Sequence, residues 1–493
     1  MRTEQVRIII ANSEEKTMTM GTYYDNSSGR RKFLQQSGLV LLAPYLSLPK
    51  NPVARFIPTL PRREDFLIKD ASILSMDKEI GEMQNGDILI RNGRIEAIGK
   101  KLEHSSAKTI SAKGKIALPG FVETHWHIWT SLLRSMATAS PGEGYFETTR
   151  NFGPYFTPED MYWATMLSGM EALYSGITTL HDWSHNVRSK AHAEASIRAL
   201  GDLGIRGRYS AGAASGQDGE EMVDLDLLRQ LQENWSGYST ESLLHLGMAW
   251  RGIGGHPGID SKAKVGMKEL EIARGLGLPV SVHASAPEIL QRLLEENLLG
   301  PDMQLVHGMG ASQAEIGQMT EKGASLSISP FSELRIGYGF PPILESLKAG
   351  TPLGLSVDTT TLTGNADMFA IMKTMLNLAT ALKEDEFATD AVRVLEMATI
   401  EGAKTLGLDQ ETGSLSKGKK ADLILINTES PNMGFMTHIP SLLVEAAQPS
   451  NVSSVWVDGR LLRHEGKFLG LDEKEIYAKC RESFYSLNKK VDG

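Results

Sequence analysis

From residue 116 to about 406 the chain repeats one unit eight times, a short apolar run followed by a stretch of helical periodicity. The runs fall at 116–123, 177–181, 205–210, 244–249, 279–283, 304–307, 325–329 and 353–358. Segments between them, such as PEDMYWATMLSGMEALYSG and KAHAEASIRALGDLG, space their apolar residues as one face of a helix does. Eight strand–helix units in series favour a closed parallel barrel over an open sheet. The expected fold is α/β, with a (β/α)8 TIM barrel over 119–406. Residues 64–118 and 407–470 instead carry short β-rich runs with turns, including a hairpin signal at Asn92-Gly93. They are expected to pair into a small composite β-sandwich formed before and after the barrel, with a C-terminal helix over 471–493.

Acid–base side chains sit where such a barrel places its chemistry, at the C-terminal ends of the strands. His125 and His127 end the first run, His283 the fifth, His307 the sixth and Asp358 the eighth. At period two, His125 and His127 project to one side of an extended strand, so both can reach one ion. An ordinary pair of histidines on a strand face is the competing reading. His283 closes an apolar run, where an unpaired imidazole is costly to bury. Asp358 does the same with a carboxylate, which at that depth needs a partner. Three imidazoles and a carboxylate suit one divalent transition metal, zinc first, with iron or manganese as alternatives. The single cysteine, Cys480, excludes an internal disulfide and any cysteine cluster, leaving ligation to histidine and carboxylate. Asp358 is then both a ligand and the base that receives a proton from the attacking water. His181, Asp182 and His185 follow the second run on the same face, and Trp126 and Arg335 are further candidates for touching substrate.

A net charge of −9 and the lack of a dense Lys/Arg stripe argue against nucleic acid as a partner. A small molecule is the expected partner, and a homo-oligomer is compatible with the chain. Residues 1–55 read as a leader: Arg30 and Arg31 precede Phe33-Leu34 and an apolar run from Leu39 to Leu48. That order resembles a twin-arginine export signal and implies a periplasmic destination, against the alternative of a cytoplasmic protein with an irregular tail. The apolar run falls short of the about 20 residues a membrane-spanning helix needs, so no stable insertion is expected beyond the leader.

Taken in order, LPGFVETHWH, SVHAS, LVHG, SPFSELRIGYG, SVDTT and the C-terminal GSLSKGKKADLILI resemble the amidohydrolase superfamily. The nearest branch is that of cytosine deaminase and the triazine chlorohydrolases, and the match runs over roughly 64–470. The resemblance implies metal-dependent hydrolysis of a non-peptide carbon–nitrogen bond (amide, lactam or cyclic amidine) in a small, ring-bearing molecule. It also implies that His307 is catalytic, polarising the substrate or stabilising the tetrahedral intermediate without being a permanent ligand. The fourth run, LLHLGMAW, has no Lys for a carbamylated bridge and no Glu ligand, so one metal is expected rather than two. Deaminases of this branch carry Glu three residues after the fifth-strand histidine; here that residue is Ala286, with Glu288 two residues further on. Deamination of a nitrogen heterocycle is therefore the alternative reading, and a catalytically idle ligand-binding barrel a third.

Overall fold

The computed structural model describes residues 58–256 and 258–492; the leader at 1–55 lies outside the described residues. Eight parallel strands form one sheet: Phe121–Val122, Ile177–Ser184, Arg206–Gly212, Leu244–Trp250, Val280–His283, Met303–Val306, Ser325–Ile328 and Leu353–Leu355. Each pairs with the next in chain order. The first and last are joined by the segment after Val122, where Thr124 N–H donates to Leu355 O at 3.2 Å and Asp358 N–H to His125 O at 2.9 Å. On the other side Trp126 N–H donates to His181 O at 3.0 Å. The sheet is thus a (β/α)8 barrel, as expected, and its seam is the HxH segment itself.

One expected strand is divided. The run at 116–123 reads as a single barrel strand, yet Lys115–Pro119 pairs antiparallel with Leu423–Asn427 in a second sheet, and only Phe121–Val122 joins the barrel. The switch occurs at Gly120, where a Cβ would come within 2.1 Å of the Thr178 side chain. A residue without a side chain is needed for that close approach. The chain can then leave one sheet and enter another within two residues.

The second sheet has nine strands drawn from both sides of the barrel. Phe66–Leu74 lies near its middle, and Leu423–Asn427, Val452–Val457 and Arg460–His464 extend it from the C-terminal side. Ile95 near one edge and Leu461 near the other share one apolar core with Phe66, Ile88 and Trp456, so the sheet curves back on itself around that core. The helix Pro158–Tyr174 begins with a capping box, Thr157 accepting from Asp160 N–H and Asp160 from Thr157 N–H. The C-terminal helix Glu473–Asp492 packs against it. Among the described residues no helix is long and apolar enough to cross a membrane.

Candidate metal centre

The barrel seam fixes the first two site residues through their backbones. His127 N–H donates to Asp358 O at 2.6 Å, while His125 O accepts from Asp358 N–H. With His283 at the end of the fifth strand, this brings His125, His127, His283 and Asp358 together, one ligand atom of each within 4.8 Å of the others. His125 Nε2 and His127 Nε2 lie 3.3 and 3.4 Å from Asp358 Oδ1, and His127 Nε2 lies 3.2 Å from His283 Nε2.

These distances do not amount to a satisfied network. His125 is fully buried, yet among the described residues neither of its ring nitrogens makes a hydrogen bond. Such orphaned groups are costly unless something else meets them. Burial, reinforced by the neighbouring histidines, holds the pKa values of His125, His127 and His283 well below the usual imidazole range. Neutral imidazole is the ligating form. The Nδ1 of His127 lies 3.1 Å from the carbonyl of Trp183 and, as its N–H donor, leaves Nε2 bare toward the cluster. The residues present fit a divalent cation.

Two carboxylates that sequence reasoning missed brace this arrangement. Glu123 is fully buried, and its Oε1 accepts from His125 N–H at 2.9 Å and Val357 N–H at 3.1 Å. Burial outweighs those bonds and pushes its pKa up to about 8. Its signal is present in VETHWH: period two puts Glu123 on the strand side of His125 and His127. Glu333 is likewise fully buried, and its Oε1 lies 2.9 Å from His307 Nδ1. Burial opposes a charge on His307, but the bond to Glu333 and the charges of Asp358 and Glu333 outweigh it and raise the pKa of His307. The ring of His307 stands 5.5 Å from that of His283, centroid to centroid.

The remaining candidates separate. His185 is brought close, its ring 4.2 Å from that of His127, with Nδ1 accepting from Trp129 Nε1–H at 3.3 Å. His181 faces into the barrel, but both nitrogens are occupied, Nδ1 at 2.9 Å from Thr124 O and Nε2 at 2.8 Å from Ser210 Oγ. Trp126 alternates with the two histidines, is fully buried in the main apolar core and is not brought to the cluster. Arg335 is exposed and donates to Ala137 O at 3.3 Å. Glu288 is exposed on the first turn of helix Pro287–Glu295, whose N-cap is Ala286. Trp183 does reach the site, its ring 4.3 Å from that of His283, and Tyr338 lies 5.7 Å from His307. A cavity of about 730 Å3 opens along the loop that carries His185, lined by Val187, Arg188, Ser215 and Leu227 among others.

Asp182 alternates with His181 and Trp183 and so turns away from the barrel interior. It is buried, its Oδ1 lacks a hydrogen bond among the described residues, and burial pushes its pKa up to about 8. A carboxyl whose pKa is higher folded than unfolded binds more protons in the native state between those two values. Stability from this group is therefore lost as pH rises from about 4 toward 8. Asp182→Asn, which stays neutral, is expected to gain on the wild type by on the order of 1–3 kcal/mol between pH 5 and pH 8. Urea unfolding at the two pH values measures this; an equal difference at both would show that Asp182 does not titrate in that range.

The Amidohydrolase family model matches residues 116–462. The chain is 30% identical over 448 residues to a 5′-deoxyadenosine deaminase of Methanosarcina mazei, covering 87% of this chain and 99% of the relative. It is 26% identical over 434 residues to a 5-methylthioadenosine/S-adenosylhomocysteine deaminase of Caldanaerobacter subterraneus subsp. tengcongensis, covering 84% and 96%. Among solved structures, a zinc-bound adenosine deaminase from Xanthomonas campestris superposes with a TM-score of 0.77 at 22% identity, covering 87% of this chain and all of that one. An atrazine chlorohydrolase from Arthrobacter aurescens complexed with zinc superposes at 0.75 and 21% identity, covering 85% and 100%. At that identity the likeness to the solved structures is one of fold.

Proposed function

The chain belongs to the amidohydrolase family and is a metal-dependent hydrolase of non-peptide carbon–nitrogen bonds; from that premise we propose that it removes the amino group of an aminopurine nucleoside altered at its 5′ position. His125, His127, His283 and Asp358 would hold one divalent ion, zinc first, with iron or manganese as alternatives. The observation that carries this is the buried, neutral histidine cluster around Asp358, with His125 unpartnered at both ring nitrogens among the described residues.

A divalent ion bound there would supply Lewis acidity and ease the loss of a proton from water near neutral pH. Asp358 orients the attacking water and takes its proton. Nε2 of His307, left bare with Nδ1 beside Glu333, accepts a hydrogen bond from the attacking water and steadies it as the carbon becomes tetrahedral. Water adds its oxygen to that carbon, the proton held by Asp358 passes to the amino group, which departs as ammonia, and the second proton of the water ends on the ring nitrogen. Trp183 and Tyr338 offer flat apolar surface for a ring. The deaminase names of full-length relatives support the substrate class.

Ala286 favours a second reading, hydrolysis of an amide or lactam, because no carboxylate stands at that position to pass a proton to a ring nitrogen. One experiment separates the readings. Protein lacking the first ~50 residues, the span read as a leader, is loaded with zinc and given 5′-deoxyadenosine, 5′-methylthioadenosine and S-adenosylhomocysteine in turn. Ammonia release from any of them supports the deaminase. A zinc-loaded protein inert toward all three but active on a lactam panel would replace the first reading with the second. Inertness toward both sets would overturn both readings and place the hydrolysed bond in another class of substrate. We also read residues 27–48 as a twin-arginine leader; fused to a reporter, this segment is expected to direct export that Arg30→Lys/Arg31→Lys abolishes.

A further inference from the structure

The seventh strand, Ser325–Ile328, is followed at once by the short helix Pro330–Ile336. Consecutive residues of that helix reach the two residues assigned to acid–base work. Ser332 Oγ–H donates to Asp358 Oδ2, which leaves Oδ1 toward His125 and His127. Glu333 Oε1 lies 2.9 Å from His307 Nδ1 and accepts from Ser329 N–H at 2.9 Å. Both recipients, His307 and Asp358, hold left-handed backbones, with φ of 74° and 60°. Such conformations in residues with side chains cost energy and persist only where the surroundings hold them. Glu333 is fully buried, and a carboxylate at that depth is retained only with a partner. Its Oε2 makes no hydrogen bond, so the His307 ring is its only side-chain hydrogen-bond partner among the described residues.

We propose that Glu333 is a positioning residue for the hydrolytic reaction: it fixes the proton of His307 on Nδ1 and leaves Nε2 as the ring nitrogen available to the attacking water, while Ser332 orients Asp358 from the same helix. The inference rests on the roles given above to His307 and Asp358. Its logic is that of an imidazole held in one tautomer by a buried acceptor, a geometry in which the carboxylate never touches the substrate.

The test is a histidine-selective 15N spectrum of the zinc-loaded full-length chain, with His307 assigned by the signal missing in His307→Asn. The wild type is expected to show His307 protonated at Nδ1. Glu333→Gln, whose amide oxygen still accepts, is expected to keep that pattern. Glu333→Leu is expected to move the proton partly or wholly to Nε2. With 5′-deoxyadenosine as probe, kcat is expected to fall about 10²-fold in Glu333→Leu with KM little changed, and less than about tenfold in Glu333→Gln. A His307 spectrum unaltered by Glu333→Leu would overturn the proposal, as would a wild-type His307 carrying its proton on Nε2. If Glu333→Leu does not fold, Glu333→Asp, one methylene shorter, takes its place, and an unmoved His307 signal again overturns it. Zinc per chain, measured alongside, keeps the two readings apart. Its absence from the wild type would sink the metal assignment, while the His307 comparison stands on the metal-free protein.

Discussion

Asp358→Asn is expected to lower kcat by about 10³-fold, within the range that removal of a general base produces. The substitution keeps the shape of the side chain and its contact with Ser332, but it removes the group that takes the proton of water. It also weakens the ligand set by one negative charge, so metal content must be measured with turnover. The residue sits on the seam of the barrel, where its N–H and C=O are both committed, to His125 O and His127 N–H. Those bonds belong to the backbone and survive the change, so the fold is expected to be intact by circular dichroism. Ser332→Ala leaves the carboxylate and removes only the hydroxyl that holds Oδ2. Its effect is expected to be smaller, about tenfold, the usual consequence of losing one supporting hydrogen bond to a charged group. If Asp358→Asn kept its metal and came within tenfold of the wild-type kcat, the proton would be taken elsewhere, and Asp358 would be a ligand alone.

The contrast between these two residues also shows how much of the site can be read from the chain. His125, His127, His283, His307 and Asp358 are legible because each ends an apolar run, and a parallel barrel delivers strand ends to one face. Their convergence requires only the order of the strands. Ser332 and Glu333 lie in a loop-and-helix segment whose path is set by packing, and nothing local in SPFSEL says which side chains it will meet. Glu123 is an intermediate case. Its spacing from His125 is visible, but its partners, the amides of His125 and Val357, exist only once the first and last strands close on each other. The divided first strand failed for a related reason. Apolar content continues unbroken from Ile116 to Val122, and a change of sheet leaves no mark on hydrophobic pattern. Gly120 is the one residue that carried the information, through the space that Thr178 denies to any Cβ. Trp126 misled in the other direction, since an aromatic residue between two candidate ligands alternates to the opposite side of the strand.

The largest loss of stability is expected at the other end of the barrel. Arg206 begins the third strand, and its guanidinium is fully buried against the fully buried carboxylate of Asp422, Nε to Oδ2 at 2.5 Å and Nη2 to Oδ1 at 3.2 Å. Asp422 stands just before the strand Leu423–Asn427, so the pair ties the barrel to the nine-stranded sheet. Asp422 Oδ1 also accepts from Asp458 N–H at 2.6 Å, and the Asp458 side chain is shared by Arg63, Lys420 and Arg460. Burial lowers the pKa of Arg206, but the charge and hydrogen bonds of Asp422 more than restore it. Asp422→Ala therefore leaves a buried cation without its main partner and is expected to cost about 3–5 kcal/mol. Arg206→Met/Asp422→Leu removes both charges together and is expected to cost much less, because neither desolvated ion is left unpaired. Urea unfolding of the two single variants and the double variant measures the coupling. The strand ends that carry the metal cluster lie at the opposite face, so turnover per folded molecule is expected to be unchanged in all three. A double variant no more stable than Asp422→Ala would mean that the cost lies in lost packing or in the Asp458 network rather than in the stranded charge of Arg206.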